Sequence, residues 1–143
     1  MDYIMKAKEL KFEDSKKGDS AFFEVIVSES DVQNFAELSG DFNPLHNDEV
    51  YAKGTEFGKR IVHGMFLCSL VSRFVGMELP GKKALLMKEM LEFKKPAYIG
   101  DTLIVKGIVV HKSEATRILE ILIEIRTKKE LLASGSVHVR VLF

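Results

Sequence analysis

The strongest constraint on the fold is an apolar run over residues 63–81, HGMFLCSLVSRFVGMELPG. Almost every side of a helix built from it would be apolar, which is typical of a buried helix. The run is broken by serine and arginine and is too short to cross a membrane, which requires about 20 apolar residues. Gly76 and Pro80 favour the end of a helix. The run therefore predicts a central helix over 63–79 that the rest of the chain buries on most of its circumference.

Strand-like segments in the second half of the chain can bury this helix. They are rich in Val, Ile and Leu and are joined by short turns, which predicts an antiparallel meander of four strands. The predicted strands are 84–99, 101–114, 116–127 and 131–143. In the last two, apolar and polar residues alternate, which predicts one packed face. The members of that face are Ile121, Ile123, Ile125, Val137, Val139 and Val141. The fold class that follows is α+β, with a curved antiparallel sheet wrapped around the central apolar helix.

The first third of the chain mixes strand and helix patterns. The predicted elements are a strand over 21–30, a helix over 31–40 and a short helix near 48–53. Either Ser28 or Ser30 can cap the first helix, and Gly40 is a natural end for it. Pro44 prevents that helix from continuing, because proline lacks an N–H and biases the preceding residue towards an extended conformation.

Length, charge and cysteine content limit the class of protein. At 143 residues, we expect residues 1–143 to form a single domain. Lys+Arg 21 balances Asp+Glu 21, so no global field would attract nucleic acid or an anionic membrane. Cys68 is the only cysteine, and the first ten residues lack the apolar segment of a signal peptide. Together these features predict a cytoplasmic protein.

A polar cluster over residues 39–48, SGDFNPLHND, follows the predicted first helix. Asp and Asn are common in turns, and a lone histidine is more often structural than catalytic. Here, however, a turn at Asn43-Pro44 can bring the side chains of Asp41 and His46 to the same side. An aspartate and a histidine on one water molecule can act as general base and general acid. The cluster therefore predicts a site that holds and activates water.

Two stretches in the same order resemble a known family. Residues 38–46, LSGDFNPLH, followed by Ala52, are similar to the hydratase signature of the MaoC-like family of (R)-specific enoyl-CoA hydratases. Residues 57–65, FGKRIVHGM, are similar to the family's second motif. The likeness covers most of the chain from about residue 30 onward. One position differs, since Phe35 stands where some members carry a tyrosine.

The resemblance implies a hot-dog fold and the reversible, (R)-specific addition of water to a trans-2-enoyl-CoA. It assigns the water to Asp41 and His46, without deciding which is the base and which the acid. Gly64 begins the apolar helix, where free N–H groups and the helix dipole favour a developing negative charge on the thioester oxygen. Glycine also allows that oxygen to approach closely. Supporting roles are expected for Asn43, His63 and Ser72.

The same resemblance implies partners. The substrate is an acyl-CoA or acyl-carrier-protein thioester, and the subunits are expected to form at least a homodimer with the acyl tunnel at the interface. The long final strands would otherwise leave exposed edges. The Lys94-Lys95 pair is a candidate for binding the substrate's phosphates, and Cys68 is expected to be a small core residue.

Several alternatives stay open at this point. A (3R)-hydroxyacyl-[acyl-carrier-protein] dehydratase would use the same dyad in reverse, a thioesterase could use the same fold, and a scaffold could bind acyl thioesters without turnover. No metal is expected, because no second histidine stands at ligand spacing from His46 in the sequence and no cysteine pair exists. Motifs for phosphate loops, dinucleotides and a Ser-His-Asp triad are absent, so no cofactor is expected.

Overall fold

A computed structural model describes residues 5–143. Residues 1–4, part of the opening segment used to argue against a signal peptide, lie outside the described part. The elements are β1 (Ser20–Ile26), α1 (Glu29–Ser39), α2 (Pro44–Asn47), α3 (Glu49–Lys53), α4 (Gly64–Arg73), β2 (Ala84–Phe93), β3 (Thr102–Ser113), β4 (Ile118–Arg126) and β5 (Leu131–Val141). A 3-10 turn at Phe12–Asp14 precedes β1, and a π-helical turn at Phe74–Glu78 extends α4.

The five strands form one antiparallel sheet in the order β1-β3-β4-β5-β2. The predicted meander is confirmed for β3, β4 and β5 but is wrong for β2, which pairs with β5. The strand predicted over 84–99 ends at Phe93, because the N–H groups of both Lys94 and Lys95 donate to Leu132 O, which breaks the regular pairing with β5, and Ala97 O accepts the N–H of Val62. The prediction that the final strands leave open edges is wrong as well, because β5 lies inside the sheet. The edge strands are β1 and β2.

The sheet wraps around α4 and its π-helical turn, which contacts β1, β2 and β3. The helix buries Leu67, Leu70 and Val71, and the turn buries Phe74 and Val75. The predicted packed face of β4 and β5 is confirmed, since all six of its members are at most 1% exposed. The predicted central helix is confirmed in place, although one stripe remains exposed: Met65, Ser69 and Ser72. Within residues 5–143, no helix is long and apolar enough to cross a membrane.

The helices between β1 and β2 are defined by their caps. Ser28 and Asp31 form a capping box at the start of α1, so Ser28 is the cap. Gly40 ends α1 with φ 78°, a left-handed conformation that favours glycine. The sequence analysis missed α2, in which Asn43 Oδ1 accepts the N–H of Leu45 and Pro44 occupies the first turn. The short helix predicted near 48–53 is confirmed as α3.

Candidate active site

Asp41 lies in the loop between α1 and α2, and local hydrogen bonds hold its backbone. Ser39 Oγ donates to Phe35 O and accepts the N–H of Asp41 at 3.1 Å. Asp41 Oδ1 in turn accepts the N–H of Asn43 at 3.1 Å. The Asp41 side chain is exposed, so its carboxylate is supported by the turn and still accessible to a ligand.

His46 stands on α2 with one ring nitrogen committed to the backbone. Its Nδ1 lies 2.8 Å from Ile61 O, and a carbonyl oxygen can only accept, so Nδ1 carries the hydrogen. The lone pair is therefore on Nε2. Ile61 N–H also donates to Leu45 O at 3.3 Å. Both backbone groups of Ile61 therefore bond to α2 and tie it to the segment before α4. A neutral His46 held in this way presents Nε2 as a proton acceptor.

His63 connects these two groups. It is 1% exposed and occupies the N-cap position of α4, and its Nε2 donates to the backbone oxygen of Asp41 at 3.0 Å. Its ring stacks on that of His46 with centroids 3.9 Å apart and an interplanar angle of 27°. On another side it contacts the Phe35 ring at 4.9 Å. His63 thus ties the Asp41 loop to the His46 ring, an arrangement in keeping with the supporting role that the sequence predicted for it.

Asp41, His46 and His63 also offer ligand atoms that all lie within 4.8 Å of one another. One carboxylate and two histidines form a common set of metal ligands. One nitrogen of each imidazole ring already bonds to a backbone oxygen, Ile61 O for His46 and Asp41 O for His63, and the rings stack with centroids 3.9 Å apart. The three side chains lie close enough to contact one small polar ligand together.

Gly64 follows His63 as the first residue of α4, and an apolar pocket of about 340 Å³ lies beside it. Helix N-terminal N–H groups have no partner within the helix and suit an oxygen that gains negative charge. The Phe93 ring packs against the glycine, since a Cβ at position 64 would lie 3.3 Å from Phe93 Cζ. The pocket walls include Phe57, Leu67, Pro96 and Ala97, and Lys94 and Lys95 line one side.

Residues 11–130 match the family described as MaoC like domain. The chain belongs to the MaoC-like family. Over 109 residues it is 44% identical to an (R)-specific enoyl-CoA hydratase of Rhodospirillum rubrum, a match that covers 73% of this chain and 76% of the relative. Over 97 residues it is 42% identical to a 3-hydroxybutyryl-CoA dehydratase of Methylorubrum extorquens, covering 68% of this chain and less than two thirds, 62%, of that relative.

Solved structures place this MaoC-like chain among hot-dog proteins, which confirms the predicted fold class. An (R)-hydratase from A. caviae superposes with a TM-score of 0.86 at 35% identity, covering 89% of this chain and 97% of the other. The unliganded R-hydratase from Pseudomonas aeruginosa superposes with a TM-score of 0.90 at 28% identity, covering 95% and 88%.

Ser72 is not brought to the other predicted site residues of the MaoC-like chain. It is exposed on α4 and lies nine positions after His63, which at 100° per residue places it on the opposite side of the helix. Among residues 5–143, no hydrogen bond links Ser72 to Asp41 or His46. Asn43, in contrast, caps the helix that carries His46.

Sequence reasoning missed one residue beside the MaoC-like site, Arg60. Its side chain is only 10% exposed, pairs with Glu29 and Glu49, and donates to the backbone oxygen of His46. The hydrogen bond that Arg60 donates to the Glu29 carboxylate raises the pKa of Arg60. A basic pair such as Lys59-Arg60 normally indicates a solvated turn, so the only available signal was its position inside the second motif.

Cys68 and Glu89 lie together between α4 and β2. Burial raises the pKa of the Cys68 thiol to about 11, and burial also raises the pKa of the Glu89 carboxyl. A thiol that remains protonated at neutral pH is a poor nucleophile. Cys68 is partly buried rather than fully enclosed, but its chemistry agrees with the structural role predicted for it.

Proposed function

We propose that the chain is an (R)-specific hydratase that adds water to trans-2-enoyl-CoA to give (R)-3-hydroxyacyl-CoA, and that catalyses the reverse dehydration. The observation that carries the proposal is the pairing of the Asp41 carboxylate with the His46 ring, joined through His63, next to the N-terminus of α4. The two named relatives support the reaction and the CoA thioester as its substrate.

The chemistry requires three functions. A base takes a proton from water as its oxygen bonds to Cβ, an acid delivers a proton to Cα, and a donor stabilises the negative thioester oxygen formed between these steps. Asp41 and His46 would hold the water between them and handle both protons. The N–H of Gly64 and the positive end of α4 would stabilise the oxygen. Asn43 and His63 would act by positioning, and the proposed reaction requires no metal or cofactor.

The pocket beside Gly64 supports binding of a thioester arm that ends near Lys94 and Lys95. Both lysines make exposed ion pairs, with Glu92 at 3.5 Å and Glu130 at 3.2 Å. Exposed pairs of this kind contribute little free energy, so the ammonium groups can move to a ligand at little cost. We propose that this lysine pair meets the phosphates of CoA.

We further propose a homodimer in which β2 of one subunit meets β2 of the other. The β2 strand is an edge with unpaired backbone groups, and natural proteins rarely leave such an edge open. Its exposed apolar side chains are Leu85, Met87, Met90 and Phe93. Because Phe93 also packs on Gly64, this dimer would close the pocket at the interface. Ser72 lies on the exposed stripe of α4 and could contribute to the reaction only from there. The proposed location is the cytoplasm.

The test is the loss of enoyl-thioester absorbance on adding crotonyl-CoA, with Asp41→Asn and His46→Ala as variants. Coupling the product to an (R)-specific or an (S)-specific dehydrogenase reports its configuration. Lys129→Met, at an exposed position in the turn between β4 and β5, serves as the control and should retain full activity. We expect turnover to the (R)-alcohol in the wild type and its loss by at least about 100-fold in both variants.

The other outcomes separate the alternatives. Turnover of enoyl-carrier-protein without turnover of any enoyl-CoA would replace the proposal with the dehydratase of carrier-protein thioesters. Release of free thiol from a saturated acyl-CoA would indicate a thioesterase. Binding of acyl-CoA without reaction, by a folded wild-type protein, would leave only a scaffold.

A further inference from the structure

The helix that carries His46 cannot be stable alone. α2 spans Pro44–Asn47, only 4 residues, and its backbone bonds amount to little more than one turn. Isolated helices shorter than about 12 residues are marginal in water. Its terminal carbonyl groups are satisfied from outside: Ile61 N–H donates to Leu45 O, and Arg60 Nη1 donates to His46 O at 3.4 Å. The position of His46 therefore depends on the segment that contains Arg60.

Arg60 joins α2 to the two helices on either side of it. Its Nη2 lies 2.5 Å from both carboxylate oxygens of Glu29, in the first turn of α1, and 3.6 Å from Glu49, in the first turn of α3. The Arg60 side chain is 10% exposed, whereas the side chains of Glu29 and Glu49 are 68% and 82% exposed. A planar guanidinium holds a fixed geometry that a flexible ammonium does not. One side chain thus fixes the spacing of three helices around His46.

We propose that Arg60 is a positioning residue for the proposed hydration reaction, holding α2 so that the His46 ring faces the water beside Asp41. Arg60 touches no substrate and exchanges no proton in this role. The inference rests on the proposed function for its kinetic readout, but its structural readout does not, because the hydrogen bond from His46 Nδ1 to Ile61 O can be followed without any turnover.

The kinetic test uses Arg60→Met, Arg60→Lys and a matched control. Small displacements of a catalytic group lower turnover steeply, so we expect kcat to fall about 10- to 100-fold in Arg60→Met with KM changed less than about threefold. Arg60→Lys should recover only part of the loss. Arg117→Met is the control, since Arg117 also bonds a glutamate, Glu13 at 2.8 Å, and a backbone carbonyl, but contacts no residue of the site. Its kcat should stay at the wild-type value.

Chemical rescue separates positioning from general stability. Guanidinium chloride, kept below denaturing concentrations, should restore part of kcat in Arg60→Ala by occupying the space between Glu29 and the His46 carbonyl. It should not rescue Asp41→Asn. Long-range ¹H–¹⁵N spectra should show the Nδ1–H tautomer of His46 in the wild type and a tautomer mixture in Arg60→Met.

Three outcomes would overturn the proposal: wild-type kcat in Arg60→Met, an unchanged His46 tautomer in that variant, or a loss of kcat that merely parallels loss of folded protein. If Arg60→Met does not fold, Glu29→Gln/Glu49→Gln decides, since both glutamates are exposed and Arg60 keeps its side chain. A fall in kcat of about 3- to 10-fold is expected there, and unchanged kcat overturns the inference. A wild-type protein without turnover would refute the proposed function alone, and the tautomer would still test Arg60.

Discussion

Under the proposed function, helix stability and activity place opposite requirements on Gly64. Alanine is favoured over glycine inside a helix by about 1 kcal/mol, and φ at position 64 is not in the left-handed region. A Cβ there would lie 3.3 Å from a Phe93 ring that is 48% exposed and can shift. We expect Gly64→Ala to change the free energy of unfolding by less than about 1 kcal/mol while lowering kcat/KM by at least about tenfold.

Urea unfolding and crotonyl-CoA kinetics on the same preparation would check this expectation. Gly76→Ala is the matched control, because a Cβ there meets open space and the residue lies in the π-helical turn after α4. Equal activity of Gly64→Ala and the wild type would remove Gly64 from the proposed oxygen-binding site.

Individual site residues differ in how far the sequence could predict them. Asp41 and His46 stand five positions apart around one turn, so the sequence predicts that their side chains lie near each other, although long-range contacts of α2 fix the position of His46. For His63 the sequence predicted only a role in supporting the loop. Its stacking on His46 could not be predicted, because it depends on how the segment before α4 folds back against α2. Arg60 was missed for the same reason: its three partners come from three separate helices.

The contact of the π-helical turn with the sheet depends on a glycine in β3. A Cβ at position 107 would lie 2.5 Å from the ring of Phe74, which is fully buried. Overpacking of a close-packed core costs about 1–3 kcal/mol. We expect Gly107→Ala to lower the free energy of unfolding by that amount in urea denaturation. Gly76 lies in the same π-helical turn as Phe74 but has open space around it, so Gly76→Ala should leave the free energy of unfolding unchanged. Equal effects of Gly107→Ala and Gly76→Ala would contradict this packing.

Glu89 on β2 makes stability depend on pH. Burial raises the pKa of its carboxyl above the ordinary value of 4.5, so the folded chain favours the protonated form. This contribution to stability is complete below pH 4.5 and is lost as the pH rises through the raised pKa. Glu89→Gln should therefore increase the free energy of unfolding at pH 8 more than at pH 4. Glu92→Gln, exposed on the same strand, is the control; a gain independent of pH would contradict the assignment.

Strand order was the element-level feature that the sequence could not predict. Alternating apolar residues predicted which face of β4 and β5 is packed, because the period of a strand depends only on local geometry. They carry no information on which strand pairs with β2. β2 pairs with β5 and not with β3, because residues 94–101 bond to β5 and to the segment before α4 instead of forming a tight turn.

At the scale of the whole molecule, the proposed dimer predicts a solution mass of about twice 16.2 kDa by light scattering. Met87→Lys/Met90→Lys would place charges on the β2 edge and should shift the mass towards 16.2 kDa. Phe22→Lys, on the opposite edge strand and 60% exposed, should leave the dimer intact. A monomeric wild type, or a dimer disrupted only by Phe22→Lys, would refute the β2 interface.

The sheet around one apolar helix was predictable because a helix apolar on most sides must be covered, and alternating strands were the only candidates in the chain. The single domain over 1–143 and the cytoplasmic location remain predictions.

Asp41, His46, His63 and Gly64 all fall within one continuous stretch, residues 41–64, that lies between β1 and β2. The sheet comes from elsewhere in the chain and contributes none of these four residues, although Phe93 of β2 packs against Gly64. Most of the sheet can therefore vary without changing these four residues, whereas Glu29 of α1, which bonds to Arg60, and Phe93 of β2, which packs against Gly64, would have to vary together with them. For a protein engineer, a transplant of this stretch onto another scaffold of the same architecture would have to carry α1 and Phe93 with it.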